Sequence, residues 1–279
     1  MKTAGTTFHV SPDGLDTNPG DGARPFRSIE RARDAIRELR GRGRALDEDI
    51  TVILVPGVYF QSVSLRFDER DGGTNRHSVF YAGDPGRKTV VYGGTPVSGW
   101  EHWKGHIYRA KVEPGRQFFR LFENGRSLVM ARYPEKGSGY RGGMMRIGDD
   151  RIRVPEAWRD YDFDHAQVFA MDATDWFSQI HEVVGFDRES VEITITPASG
   201  NWAPMFKGIN DRFYIQGVLE LLDQPGEWCL RPDEGYVYCW PHREPIEKQL
   251  IVAPTVQRVL DIRGSDPDKP VTNLLFENI

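Results

Sequence analysis

Thr51-Val52-Ile53-Leu54-Val55-Pro56-Gly57-Val58-Tyr59 decides how the chain is to be read. Its first five residues are all β-branched or aliphatic, too short a run for a buried helix, and Pro-Gly closes it with a turn. Ser78-Val79-Phe80-Tyr81 and Thr89-Val90-Val91-Tyr92 repeat the pattern, each soon ended by glycine. Short strands, polar turns and glycine punctuation at this pace suit successive coils of a parallel β-helix, although an antiparallel sandwich shows the same local signals.

Upstream lies the clearest helix. Ser28 can cap it, Glu30 suits its positive end, and Ile29, Ala32, Ile36 and Leu39 form one apolar stripe before Gly41 and Gly43. The turn-rich run before it, Asp16-Thr17-Asn18-Pro19-Gly20-Asp21, has oxygen ligands but lacks the full pattern of a calcium loop and its distal glutamate. A hydrogen-bonded turn is the better reading.

Downstream, residues 100–245 change texture and contain all seven tryptophans. Val191, Ile193 and Ile195 alternate with Glu192, Thr194 and Thr196, as a half-solvated antiparallel strand requires. Asn124-Gly125 marks a hairpin between residues 118–122 and 128–131. A further hairpin joins 227–230 to 236–240. With Leu230 opposite Tyr236 in it, Cys229 and Cys239 sit diagonally on one face, roughly 7–8 Å apart and beyond comfortable disulfide reach. Residues 246–279 return to the first texture. Three domains are therefore expected: 1–99 as cap and first coils, 100–245 as an inserted antiparallel β domain, and 246–279 as a return to the helix that stops in mid-solenoid.

The 29 glycines and 18 prolines exceed the usual share of about 12% and favour turns over helices. A net charge of -5 gives no electrostatic reason for nucleic acid or an anionic membrane as partner. The N-terminus has no apolar signal-peptide core, so the chain as written is expected in the cytoplasm. The seven histidines stand singly, without metal spacing, and neither a Gly-x-Ser-x-Gly elbow nor a phosphate loop occurs. No metal and no cofactor are expected.

Two sets of segments carry a resemblance. Val10-Ser11-Pro12-Asp13-Gly14, Pro25-Phe26-Arg27-Ser28-Ile29-Glu30 and Val55-Pro56-Gly57-Val58-Tyr59 resemble the cap and first coil of β-helix glycosidases and pectate-lyase-like proteins. Phe122-Glu123-Asn124-Gly125-Arg126, Ala131-Arg132-Tyr133-Pro134, the run from Leu221 through Asp223-Gln224-Pro225-Gly226-Glu227-Trp228, and Tyr236-Val237-Tyr238-Cys239-Trp240-Pro241 resemble the β-sandwich insertion of glycoside hydrolase family 141. The resemblance implies a mainly β protein, a right-handed parallel β-helix interrupted by the insertion. It further implies an exported-type enzyme acting on plant-type polysaccharide, with its carboxylates on coils beyond residue 279 and the missing C-terminal β-helix portion as partner. No catalytic residue can be carried over. A non-enzymatic carbohydrate-binding module and a polysaccharide lyase are the alternatives.

The sharpest local candidate for contact with an oligosaccharide or polysaccharide is Asp172-Ala173-Thr174-Asp175-Trp176, with His181 nearby. Trp176 could stack on a sugar ring while Asp172 or Asp175 bonds its hydroxyls. The competing reading is a strand-end turn in which the carboxylates cap backbone amides and Trp176 packs inward.

Overall fold

The computed structural model describes residues 5–41, 46–86, 88–172, 174–199 and 209–279. The chain is mainly β and divides into two compact units, residues 1–95 with 254–279, and residues 96–253.

In the first unit short strands pair in parallel. Thr6–Val10, Ile50–Leu54, Val79–Gly83 and Leu274–Glu277 form one four-stranded ladder. Gly57–Phe60 pairs with Thr89–Tyr92, and Leu65–Phe67 with Leu260–Ile262, also in parallel. Residues 50–67 thus supply one strand to each of three ladders. Alternation places Val52 and Leu54 in the core while Ile53 faces out.

The helix, Ile29–Gly41, covers this core with Ile29, Ala32, Ala35 and Ile36. Its stripe thus runs through Ala35, and Leu39 is only half-buried. Ser28 Oγ accepts the Arg31 amide at 3.1 Å, the expected N-cap. Arg37 donates from Nε and an η nitrogen to the buried Asp71 at 2.8 and 2.6 Å, and to Asp68 at 3.1 Å. Asp16 and Asp21 in the preceding loop accept backbone amides of Arg27, Ser28, Ala23 and Arg24. Phe67, Tyr81 and Phe276 pack ring on ring, 5.3–5.4 Å between centroids. Beside them opens an apolar cavity of about 470 Å³ lined by Ile29, Leu54, Leu65, Tyr81, Phe276 and Ile279. The Thr255 amide donates to Gly93 O at 3.0 Å, so the chain leaves and rejoins this unit at neighbouring points.

Among the described residues the second unit is antiparallel apart from one short pairing, Val129–Met130 with Glu227–Trp228. Its largest sheet runs in the order Arg132–Tyr133, Ile209–Gln216, Gln167–Asp172, Ser178–Asp187, Glu192–Ile195, Arg151–Arg153, Met145–Arg146. Val168, Ala170, Ile193, Ile195, Phe213 and Ile215 line its core side. Glu192 departs from the simple alternation: it is buried because Arg151 and Arg153 bracket it at 3.4 and 2.7 Å. A second sheet joins Glu227–Arg231 and Tyr236–Trp240 to Ile107–Lys111 and Glu101–Lys104. Asn124 and Gly125 take φ of 49° and 85°, as a tight hairpin between Phe122–Glu123 and Arg126–Ser127 demands.

The cysteine hairpin differs from expectation by one residue. Leu230 pairs with Val237, not Tyr236, so Cys229 faces Tyr238 and Cys239 faces Trp228. A one-residue slip turns a side chain to the other face. The two buried, free cysteines accordingly belong to different cores. Among the described residues no helix is long and apolar enough to cross a membrane.

Candidate functional site

The residues singled out in the sequence sit on the turn that joins the Gln167–Asp172 and Ser178–Asp187 strands. Asp172 is fully buried there, and its carboxylate builds the turn. Oδ1 accepts the amides of Trp176 at 2.9 Å and Phe177 at 3.1 Å, while Oδ2 accepts the Thr174 hydroxyl at 2.5 Å. Burial alone would push its pKa up, but the Thr174 hydroxyl and the turn amides outweigh it and hold the carboxyl below its ordinary value. The turn presses Asp175 into left-handed backbone, φ 60°, and turns Trp176 outward.

Trp176 is 84% exposed. Asp175 meets Arg212 at 3.3 Å, and the Arg212 guanidinium lies 5.7 Å from the Tyr140 ring centre. His181 points the other way: it is buried and donates from Nδ1 to the Thr196 carbonyl at 2.6 Å. Asp175 and Trp176 thus stand at the surface, while Asp172 and His181 belong to the framework beneath.

The sheet face that carries Arg212 also carries a stacked pair of rings. Ile180, Phe169 and Tyr214 are cross-strand neighbours on the side away from the core. Phe169 and Tyr214 stack at 4.9 Å, and the Arg132 guanidinium caps Tyr214 at 3.4 Å. Flat apolar rings edged by guanidinium and carboxylate groups suit a ligand with C–H faces and hydroxyl rims.

Arg132 leads to a feature that the sequence reading missed. Glu135, Asp223 and Glu227 each offer an oxygen within 4.8 Å of the others. Asp223 and Glu227 come from one loop, which Glu227 closes by accepting the amides of Asp223 at 3.1 Å and Gln224 at 3.3 Å on Oε2. Gly226 is required at φ 88°, because a Cβ there would lie 2.0 Å from the His242 ring. Glu227 is only 3% exposed, and its Oε1 is buried with no hydrogen-bond partner. The Glu135 carboxyl lies against it within hydrogen-bonding reach, so that one proton can bridge the two. Burial first, and then the charge of Glu135, push the Glu227 carboxyl up to about 8. Glu227, buried at the bottom of the cluster, is out of a sugar's reach.

No protein-family model and no curated protein matches the chain. A solved structure described as a glycoside hydrolase superposes with a TM-score of 0.78 at 22% identity, over 99% of this chain and 50% of that one. The two share a fold. This chain spans half the length of that enzyme. A complex of XylC with xylose aligns over 97% of this chain and 34% of its own, at 12% identity and a TM-score of 0.42.

Proposed function

We propose that the chain is carbohydrate-active: a right-handed parallel β-helix of glycoside-hydrolase type whose inserted β unit binds glycan across the Trp176–Arg212–Tyr140 face. The observation that carries this reading is the outward projection of Trp176, 84% exposed, from a turn that Asp172 holds rigid. An indole of that size left in water on a fixed turn has the flat apolar surface that stacks on a pyranose, and Asp175 and Arg212 beside it can bond the hydroxyls. The glycoside-hydrolase fold supports the same class of ligand. For the β-helix, the three parallel ladders of the first unit and their shared apolar interior are the support. The resemblance of residues 131–134 and 221–228 to family 141 favours plant-type polysaccharide such as fucosylated or xylan-like glycans.

Affinity electrophoresis and calorimetry against xylan, pectin and cellulose test the reading. Binding to one of these polymers should weaken about tenfold in Trp176→Ala with an unchanged melting temperature, since the lost stacking is worth about 1 kcal/mol or more. Wild-type protein that binds none of them, or binding indifferent to Trp176→Ala, would overturn it.

A further inference from the structure

We propose that Glu135, Asp223 and Glu227 form a binding site for Ca²⁺. Two observations meet here. Three carboxylates converge within 4.8 Å. Independently, the deepest of them is left half-satisfied: Glu227 is 97% buried by its 3% exposure, Oε2 takes two amides, and Oε1 takes none. A buried carboxylate oxygen without a donor is rare and calls for a cation or a proton.

Arg132 does not answer this need. Its guanidinium is spread over the Tyr214 ring, and Nε donates to the Pro134 carbonyl at 2.9 Å. The donor set is all oxygen, which selects a hard cation, and no thiolate or imidazole belongs to the cluster. The burial gradient runs from buried Glu227 through half-buried Glu135 to exposed Asp223. An ion could therefore hold protein oxygens on its inner side and keep water on its outer side. Ca²⁺ tolerates such irregular coordination and bidentate carboxylates, whereas Mg²⁺ demands a near-ideal octahedron.

The site lies wholly within the inserted unit and does not depend on the glycan reading. It joins Glu135, next to the Arg132–Tyr133 strand, to the loop before the Glu227–Arg231 strand. Occupancy would cross-link one edge of the large sheet to the second sheet of that unit.

The test is calorimetric titration of CaCl₂ into the chelator-treated full chain, with melting curves beside it. Expected is one site per chain, with a dissociation constant between about 10⁻⁵ and 10⁻³ M and a melting temperature that rises on saturation. Glu135→Gln and Asp223→Asn, at positions that reach solvent, should each bind at least about tenfold more weakly. In chelator, Glu135→Gln should melt at or above the wild-type temperature, because it relieves repulsion. Absence of saturable binding, or variants that titrate like wild type, would overturn the site. So would a Glu135→Gln chain that melts lower in chelator, since that marks a proton shared by Glu135 and Glu227. Trp176→Ala should leave the calcium titration unchanged, so failure here and failure of the glycan reading are told apart.

Discussion

Trp176 and Asp172 divide one turn between display and support. The tryptophan makes the contact with solvent, and the aspartate four residues before it, which accepts the Trp176 and Phe177 amides and the Thr174 hydroxyl, sets where the ring stands. Asp172→Ala should therefore lower both the melting temperature and the glycan affinity, whereas Trp176→Ala should lower affinity alone. Thermal melts and titrations of the two variants side by side check the split. The Asp-x-x-Asp-Trp run was legible as a turn with a sugar-stacking candidate, because Asp favours hydrogen bonds to amides a few residues ahead. Which carboxylate would turn inward was not legible, since both are of one type. Nor was the Glu135, Asp223 and Glu227 cluster. Asp223 and Glu227 stood in a quoted segment, but their approach to Glu135 bridges almost ninety residues of chain, a distance that local pattern does not encode.

Among the elements, the capping helix is tied to its sheet by more than apolar contact. Arg37 reaches from the helix to Asp71, whose side chain is 1% exposed, and to Asp68. Arg37→Ala would leave Asp71 buried without its partner and should cost about 3 kcal/mol, the lower end for a buried pair because Arg37 itself touches solvent. Chemical denaturation measures it. Asp68 adds a pH dependence. The Arg70 side chain, against the opposing effect of partial burial, lowers its carboxyl from 3.8 to about 2 in the folded chain. A depressed carboxyl contributes stability that is fully present above its unfolded value and is lost as pH falls toward the folded one. The melting temperature should therefore drop between pH 4 and pH 2 partly through this group, roughly the window set by those two values, and Asp68→Asn should flatten that slope. The helix itself was readable from stripe, cap and glycine stop. The cysteine hairpin was readable as a hairpin but not in register, because a four-residue turn admits pairings that differ by one residue and only packing on the two faces chooses between them.

The molecule as a whole divides into two compact units, with limits at residues 95–96 and 253–254. The inserted unit is continuous in sequence and owns several buried cores. Expressed alone, residues 96–253 should give a cooperative melt, and a broad, non-cooperative transition would show that it leans on the rest of the chain. Parallel pairing in the first unit was harder to foresee, since its short apolar strands carry no sign of their neighbours' direction. The Gly93–Thr255 hydrogen bond gives this organisation a practical meaning. A guest sequence that enters and departs through a single clasp presents its host with the same two ends whatever its length. Lengthening the detour adds only slowly to the entropy of closing it. The doorway, rather than the room behind it, is what the first unit has to preserve, and whole domains could be exchanged there while the ladders on either side keep their register.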